Sequence, residues 1–303
     1  MAGPLSIVVP VYNSAGTLSA LVDRIDGAVE GDHEILLVND GSGDTSWRVI
    51  EQLAARRPGV RGLDLMRNYG QHNALLAGIR AARYPTVVTL DDDLQNPPEE
   101  IPKLLAKLDE GYDVVYGAAS ERQHGVFRNL ATRVSKWALR GVIGEEVAGH
   151  VSAYRAFRTQ LREAFTEYEG PYVSIDVLLS WGTSRFTWIP VAHDPRAEGR
   201  SSYSFARLAT HALNVLTGFS TRPLRIASLV GLVFTLFGAA VFVLVVVRYF
   251  VSGRVVPGFA FLASIIAIFS GVQLLTLGVI GEYLARMHMR IMDRPPYSVR
   301  DEV

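Results

Sequence analysis

The sequence predicts an α/β domain on a mostly parallel, doubly wound sheet, followed by a two-helix transmembrane hairpin. Three observations predict it. From Leu5 to Tyr116, short apolar runs alternate with amphipathic helical stretches, the signature of parallel strands joined by crossover helices. Polar and acidic residues gather where those runs end, and open α/β sheets bind ligands at the carboxyl ends of their strands. Late in the chain, residues 226–247 and 259–280 contain no charged side chain, and each exceeds the roughly 20 residues that cross a bilayer.

The elements follow in order. Leu5-Ser6-Ile7-Val8-Val9 reads as a buried strand closed by Pro10,. Tyr12-Asn13-Ser14 opens a helix carrying Leu18 and Leu21. Residues 34–38 form a second strand that ends on Asn39-Asp40-Gly41-Ser42. Asp44 or Thr45 caps a helix through Arg56, and Pro58-Gly59 stops it,. Residues 60–65 are a third strand, 71–82 a helix, 86–90 a strand, 98–110 a helix and 113–116 a strand.

Composition narrows the function classes. The 303 residues hold 30 Lys+Arg and 30 Asp+Glu, so no net charge draws the chain to nucleic acid. With no cysteine, disulfides, thiolate metal sites and a cysteine nucleophile are excluded. Hydrophobic residues make up 49%, concentrated in the two late runs. These lie far from the N-terminus, and Met1-Ala2-Gly3-Pro4 has no charged leader, so no signal peptide is expected. The link 252–257 is too short for a domain, which makes the runs a hairpin with both flanks on one side. Arg222, Arg225, Arg286, Arg290, Arg294 and Arg300 crowd those flanks, against Arg248 and Arg254 in the link. This bias places the flanks in the cytoplasm. The expected layout is a cytoplasmic catalytic domain over 1–203, a juxtamembrane amphipathic helix over 204–221, the hairpin over 222–285 and a cytoplasmic tail over 286–303.

The chemistry centres on Asp91-Asp92-Asp93-Leu94-Gln95-Asn96-Pro97-Pro98, directly after the fourth strand. Adjacent carboxylates repel and raise one another's pKa. A hard divalent cation, Mg²⁺ or Mn²⁺, removes that cost. Along an extended segment side chains alternate, so Asp91, Asp93 and Gln95 would share one face and Asp92 would point away,. The same residues also read as an acidic turn capping the helix that begins near Pro98. Other strand ends supply Tyr12-Asn13, Asp40 and Arg67-Asn68. The first loop lacks G-x-G-x-x-G, which disfavours a Rossmann dinucleotide cofactor. Asp40 suits a base or a ribose, or is a turn residue before Gly41. Arg67 suits a phosphate, or is a surface arginine.

After Gly117 the alternation fades. Residues 126–142 read as a helix with Arg128, Arg133 and Arg140, either in the headgroup zone or on a plain surface. Arg196, Arg200, Ser201 and Ser202 form a phosphate clamp or a lipid-attracted juxtamembrane loop,. His150 and His193 read as structural residues.

Several segments together resemble the family 2 glycosyltransferases of GT-A fold. They are Val8-Val9-Pro10-Val11-Tyr12-Asn13, Val38-Asn39-Asp40-Gly41-Ser42, Arg67-Asn68-Tyr69-Gly70-Gln71, Asp91 to Pro98 and Tyr154-Arg155-Ala156-Phe157-Arg158. More narrowly, nearly the whole chain is similar to polyprenyl-phosphate glycosyltransferases. That group holds the dolichyl-phosphate mannose synthases, bactoprenol glucosyltransferases and undecaprenyl-phosphate 4-deoxy-4-formamido-L-arabinose transferases. The last look nearest, through Arg67–Ala74, Leu90–Gly111 and Gly281-Glu282-Tyr283.

The resemblance implies inverting transfer of a sugar from a nucleotide-sugar, UDP-linked by the nearest likeness, to undecaprenyl phosphate at the cytoplasmic membrane face. It implies that Pro10, Tyr12, Asn13, Asp40, Arg67, Asp91, Asp92 and Arg196 serve the nucleotide-sugar. It implies Asp91, Asp93 and Gln95 as holders of Mg²⁺ or Mn²⁺, and Arg122, Arg128, Arg200 and Ser201 as acceptor-phosphate contacts. A homo-oligomer is compatible with this arrangement. Three positions depart from the family pattern: Ser14, Gly149 and Ser202 stand where Glu, Asp and Lys are usual. The general base is therefore unassigned. A phosphate-monoester acceptor has a second pKa of about 6 and is already largely anionic at neutral pH, so the attack needs no base. Two rival readings are a polysaccharide synthase, whose Gln-x-x-Arg-Trp motif is missing here, and a non-catalytic glycolipid-binding or translocating membrane subunit.

Overall fold

The structure, a computed structural model, describes residues 3–119, 145–170, 173–194, 222–252, 258–292 and 294–303. The chain divides into two compact units, Met1–Ala212 with Asp293–Val303, and Leu213–Met292.

The first unit is built on an eight-stranded sheet. Its strands are β1 (Leu5–Val11), β2 (His33–Asn39), β3 (Val60–Leu65), β4 (Thr86–Thr89), β5 (Val114–Ala119), β6 (Arg155–Arg158), β7 (Phe186–Val191) and β8 (Val299–Glu302). The order is β7-β5-β6-β4-β1-β2-β3-β8. β1, β2, β3 and β4 run parallel, β6 is inserted antiparallel between β4 and β5, and β8 lies antiparallel on the β3 edge. β1 is buried along its whole length, which explains its continuous apolar run.

Helices cover both faces. α1 (Leu18–Ala28), α2 (Ser46–Arg56) and α4 (Ile101–Asp109) bury Leu21, Ile25, Ile50 and Leu104 against Ile7, Val9 and Ile35. On the other face Gly78 of α3 (Gln71–Ala81) meets Val8 and Val38. A short helix α5 (Glu145–Ala148) precedes β6, and α6 (Ile175–Gly182) precedes β7.

Two boundaries differ from expectation for a physical reason. Pro10 does not end β1, which runs on to Val11. Proline cannot donate to a ladder, but pairing with β4 has already stopped at Val8↔Thr89. The helix expected from Pro98 begins as a 3₁₀ turn, Pro98–Glu100, and becomes α-helical at Ile101.

The second unit holds α7 (Arg222–Ser252) and α8 (Phe259–Ile291). Within it, Leu224–Leu244 and Ile268–Met289 are long and apolar enough to cross a membrane, and neither is buried. The rings of Phe234 and Phe269 meet edge to face at 5.9 Å.

Candidate active site

The carboxyl ends of β1 to β4 lie along one rim of the sheet, and the loop after each strand is bonded to its neighbours. After β1, Asn13 adopts a left-handed backbone, φ 53°, uncommon without a reason for a non-glycine residue. Its N–H donates to Ser42 Oγ at 3.0 Å and its Oδ1 accepts Gly43 N–H at 2.8 Å. Tyr12 stays 52% exposed, an open aromatic face at the rim. Asp44 accepts Ser46 N–H at 2.9 Å as the capping pattern predicts, and also Ala15 N–H at 3.3 Å.

After β2, Asp40 is only 3% exposed. Its two oxygens accept Tyr69 N–H at 2.7 Å and Gly70 N–H at 2.9 Å. Burial pushes its pKa up, and the two amides pull part of that back,. Of the two readings of Asp40, a base or ribose contact and a turn residue before Gly41, its bonds are those of a turn residue: its carboxylate accepts both amides and shapes the Arg67–Gly70 loop. Gly41 permits this fold-back. Its φ is 62°, and a Cβ there would lie 2.4 Å from the Arg67 carbonyl carbon,. The Arg67 guanidinium sits 4.5 Å from the centre of the Tyr69 ring.

After β4, the acidic segment turns instead of extending. Leu94 is left-handed at φ 61°, so the expected side-chain alternation stops there. The three carboxylates take different partners. Asp91 accepts from Gln71 Nε2. Asp92 Oδ2 accepts Tyr12 N–H at 3.1 Å, and Asp93 Oδ1 accepts Gln95 N–H at 3.1 Å. Burial raises the Asp92 pKa, against the opposing effect of the Ser14 hydroxyl and Tyr12 N–H, while the Asp93 charge raises it further. Asp92, which the resemblance implies at the nucleotide-sugar, ties the acidic turn to the β1 loop through the Tyr12 N–H. Gln95 O accepts Asp194 N–H at 2.9 Å, and Tyr154 Oη donates to Pro97 O at 2.9 Å.

Sequence reasoning missed three supports of this rim: Gln71 on Asp91, Thr17 Oγ1 on the Asp92 carbonyl at 2.8 Å, and Tyr154 on Pro97. Gln71 closes the Arg67–Gln71 motif and was the most readable of them. Toward the β7 edge of the sheet His150 stacks on Trp188 at 3.6 Å, next to the Gly149 departure. Arg122, Arg128, Arg196, Arg200 and Ser201 lie outside the described residues.

The pattern of a matching family settles what kind of protein carries this rim. Glycosyl transferase family 2 matches residues 6–166. The chain belongs to glycosyl transferase family 2. It is a glycosyltransferase. The undecaprenyl-phosphate 4-deoxy-4-formamido-L-arabinose transferase of Enterobacter sp. (strain 638) is 37% identical, over 98% of this chain and 92% of its own length. The protein of that name from Klebsiella pneumoniae subsp. pneumoniae is 36% identical over the same shares, 98% and 92%. Among solved structures, glucosyl-3-phosphoglycerate synthase from Mycobacterium tuberculosis, in complex with Mn²⁺, UDP and phosphoglyceric acid, gives a TM-score of 0.52 at 21% identity. That match covers 71% of this chain and 76% of the other. A mycobacterial protein gives 0.54 at 20% identity over 71% and 73%. These likenesses establish the GT-A fold.

A divalent cation suits this family 2 rim. Among the described residues no three His, Cys, Asp or Glu side chains are grouped to hold an ion. Mg²⁺-type sites, however, commonly use one or two carboxylates and complete their shell with substrate phosphates and water. Asp91 and Asp93 are two hard-oxygen donors, half-buried at the rim, and the Gln95 backbone N–H donates to Asp93 Oδ1. The donor set fits.

Proposed function

We propose that this glycosyltransferase moves a sugar from a UDP-linked donor to undecaprenyl phosphate, with inversion, at the cytoplasmic face of a bacterial inner membrane. The observation that carries the reading is the acidic turn Asp91–Gln95 at the carboxyl end of β4. It stands in a chain that shares 37% identity, end to end, with an undecaprenyl-phosphate sugar transferase. The mycobacterial synthase of like fold binds UDP and Mn²⁺ together, which supports the donor and ion assignments.

In this reading Pro10, Tyr12, Asn13 and the Asp40 loop shape the nucleotide pocket. Asp91, Asp93 and Gln95 hold Mg²⁺ or Mn²⁺. A divalent ion held by these residues would supply positive charge to offset that growing on the departing nucleoside diphosphate. Arg67 and Arg196 face the donor phosphates, and Arg122, Arg128, Arg200 and Ser201 receive the acceptor phosphate. Alignment of the phosphate oxygen with the anomeric carbon supplies the remaining rate. One phosphate oxygen bonds to the anomeric carbon as the bond to the diphosphate breaks. No proton need leave the acceptor, which tolerates Gly149 in place of a carboxylate.

The membrane assignment rests on α7 and α8. The chain leaves the sheet after β7 and returns to it as β8. That return supports a hairpin whose two flanks share one side, and the arginines of the flanks favour the cytoplasm. The proposed layout keeps 1–203 as the catalytic domain, 204–221 as a juxtamembrane helix and 222–285 as the hairpin.

The test is a transfer assay on the purified full chain with undecaprenyl phosphate, Mn²⁺ and a panel of nucleotide-sugars. A UDP-sugar should yield a lipid-linked sugar with inverted anomeric configuration by NMR. Retained configuration would reject the single in-line attack, and transfer from no UDP-sugar would reject the donor.

A further inference from the structure

We propose that β8, the strand that follows the hairpin, is a working part of the nucleotide-binding rim, with Arg300 as a positioning residue for the loop held by Asp40. The inference rests on the donor-site reading above and adds a residue that this reading does not use.

β8 runs antiparallel to β3, so its first residues stand beside the carboxyl end of β3, at the rim. The ladder pairs Leu63↔Glu302, Asp64↔Asp301 and Leu65↔Val299, with the register breaking between Asp64 and Leu65. Either side of that break the pairing is firm. Met66 N–H donates to Ser298 O at 2.9 Å, and Gly62 and Val303 exchange backbone bonds of 2.7 and 3.0 Å. Gly62 leaves room for this edge: a Cβ there would lie 2.3 Å from Ile50 Cγ2 and 2.9 Å from Val303 Cγ2.

Arg300 reaches across the break. Its Nη1 lies 3.3 Å from Asp64 Oδ2, and its Nη2 donates to Met66 O at 2.8 Å. Asp64 is buried, and its other oxygen accepts Asn39 Nδ2 at 2.6 Å. Asn39 directly precedes Asp40, and its Oδ1 accepts Ser42 N–H at 3.3 Å. Met66 directly precedes Arg67, in the loop whose Tyr69 and Gly70 amides bind Asp40. One guanidinium therefore bonds β3 and the start of its loop directly, and through Asp64 it is linked to Asn39 at the end of β2. A buried carboxylate needs a compensating charge, and Arg300 is the cation paired with Asp64 among the described residues.

The rest of the tail is anchored away from the rim. Glu302 pairs with Arg61 at 2.6 Å, and Arg61 also reaches Glu34 at 2.9 Å. The Tyr297 ring lies under the Arg80 guanidinium at 5.7 Å. These contacts offer a control. If the tail only stabilises the sheet, losing Glu302 and losing Arg300 should act alike. If Arg300 positions the rim, they should separate.

The experiment titrates UDP, with Mn²⁺ present, into the detergent-purified full chain by calorimetry, for wild type, Arg300→Gln, Arg300→Lys and Glu302→Gln. Loss of outer partners of a site typically costs tenfold or more. Arg300→Gln should weaken UDP about tenfold, Arg300→Lys less, and Glu302→Gln should lower the melting temperature with UDP affinity unchanged. Amide exchange at Tyr69 and Gly70 should quicken in Arg300→Gln alone. Wild-type UDP affinity in folded Arg300→Gln, or an equal loss in Glu302→Gln, would overturn the inference. If Arg300→Gln does not fold, the Asp64→Asn/Arg300→Gln pair, which removes both charges, is titrated in its place. Weaker binding there supports the role and wild-type affinity rejects it. A wild type that takes up no UDP rejects the donor reading, and this inference with it.

Discussion

β1 and α7 are both apolar runs, yet their surroundings are opposite. Ile7, Val8 and Val9 of β1 are fully buried by neighbouring strands and by helices on both faces. In α7, Leu236 is 62% and Phe242 69% exposed. A strand finds its cover inside the chain, because the sheet repeats and helices return across it. An all-round apolar helix of this length has no polar stripe to offer water, and in the proposed layout its cover is lipid. In the proposed function the difference divides the labour: the sheet fixes the chemistry at its rim, and the hairpin fixes where that chemistry happens.

The division breaks if a rim substitution changes membrane attachment, or a hairpin substitution changes the rim. The largest effect expected is on catalysis. Asp93→Asn should cut sugar transfer by about a thousandfold, the worth of several kcal/mol of charge stabilisation, while the protein still fractionates with membranes. Transfer within a fewfold of wild type would separate Asp93 from the chemistry. Next in size, Leu236→Arg puts a charge mid-helix at a cost of about 3 kcal/mol to insertion. The fraction resisting carbonate extraction should fall. UDP binding by protein recovered in detergent should persist.

Smaller, and confined to the sheet, is Asp40→Ala. It strands the Tyr69 and Gly70 amides, and should cost about 2 kcal/mol in chemical denaturation of the sheet unit. Asp40 also carries a pH signature. Its folded-state pKa is raised by burial, so the fold favours the protonated acid. That contribution is complete below the ordinary carboxylate range and is lost as pH rises through the raised value. Wild type should therefore lose stability relative to Asp40→Asn as pH climbs through that window. A constant difference would mean that the burial has no energetic consequence. Smallest is the acceptor's own titration: transfer should decline as pH falls through about 6, where a phosphate monoester dianion takes up a proton.

Much of this was legible in the sequence. Strands β1 to β4 are legible as short runs rich in β-branched residues and leucine, and the rim as polar residues directly after them. The acidic turn was found, but not its shape, because Leu94 in a left-handed conformation gives no sequence signal. Asp40 reads from the sequence equally as a ligand contact or a turn residue, because its two amide partners lie about thirty residues away in another loop. β8 was read as tail. Val299-Arg300-Asp301-Glu302 is charged and exposed, as edge strands often are to deter further pairing, and such a strand has no apolar face to betray it. The antiparallel insertion of β6 was likewise hidden: Arg155–Arg158 was recognised as a motif, while its pairing with β4 and β5 depends on contacts far along the chain.

The central claim is that Asp91 and Asp93 at the sheet rim grip a divalent ion that in turn grips the donor. The most direct measurement is electron paramagnetic resonance of Mn²⁺ titrated into the full chain with UDP present. Wild type should remove free Mn²⁺ from the signal at near one ion per chain, and the Asp91→Asn/Asp93→Asn protein should leave it free. Equal uptake by both would contradict the account.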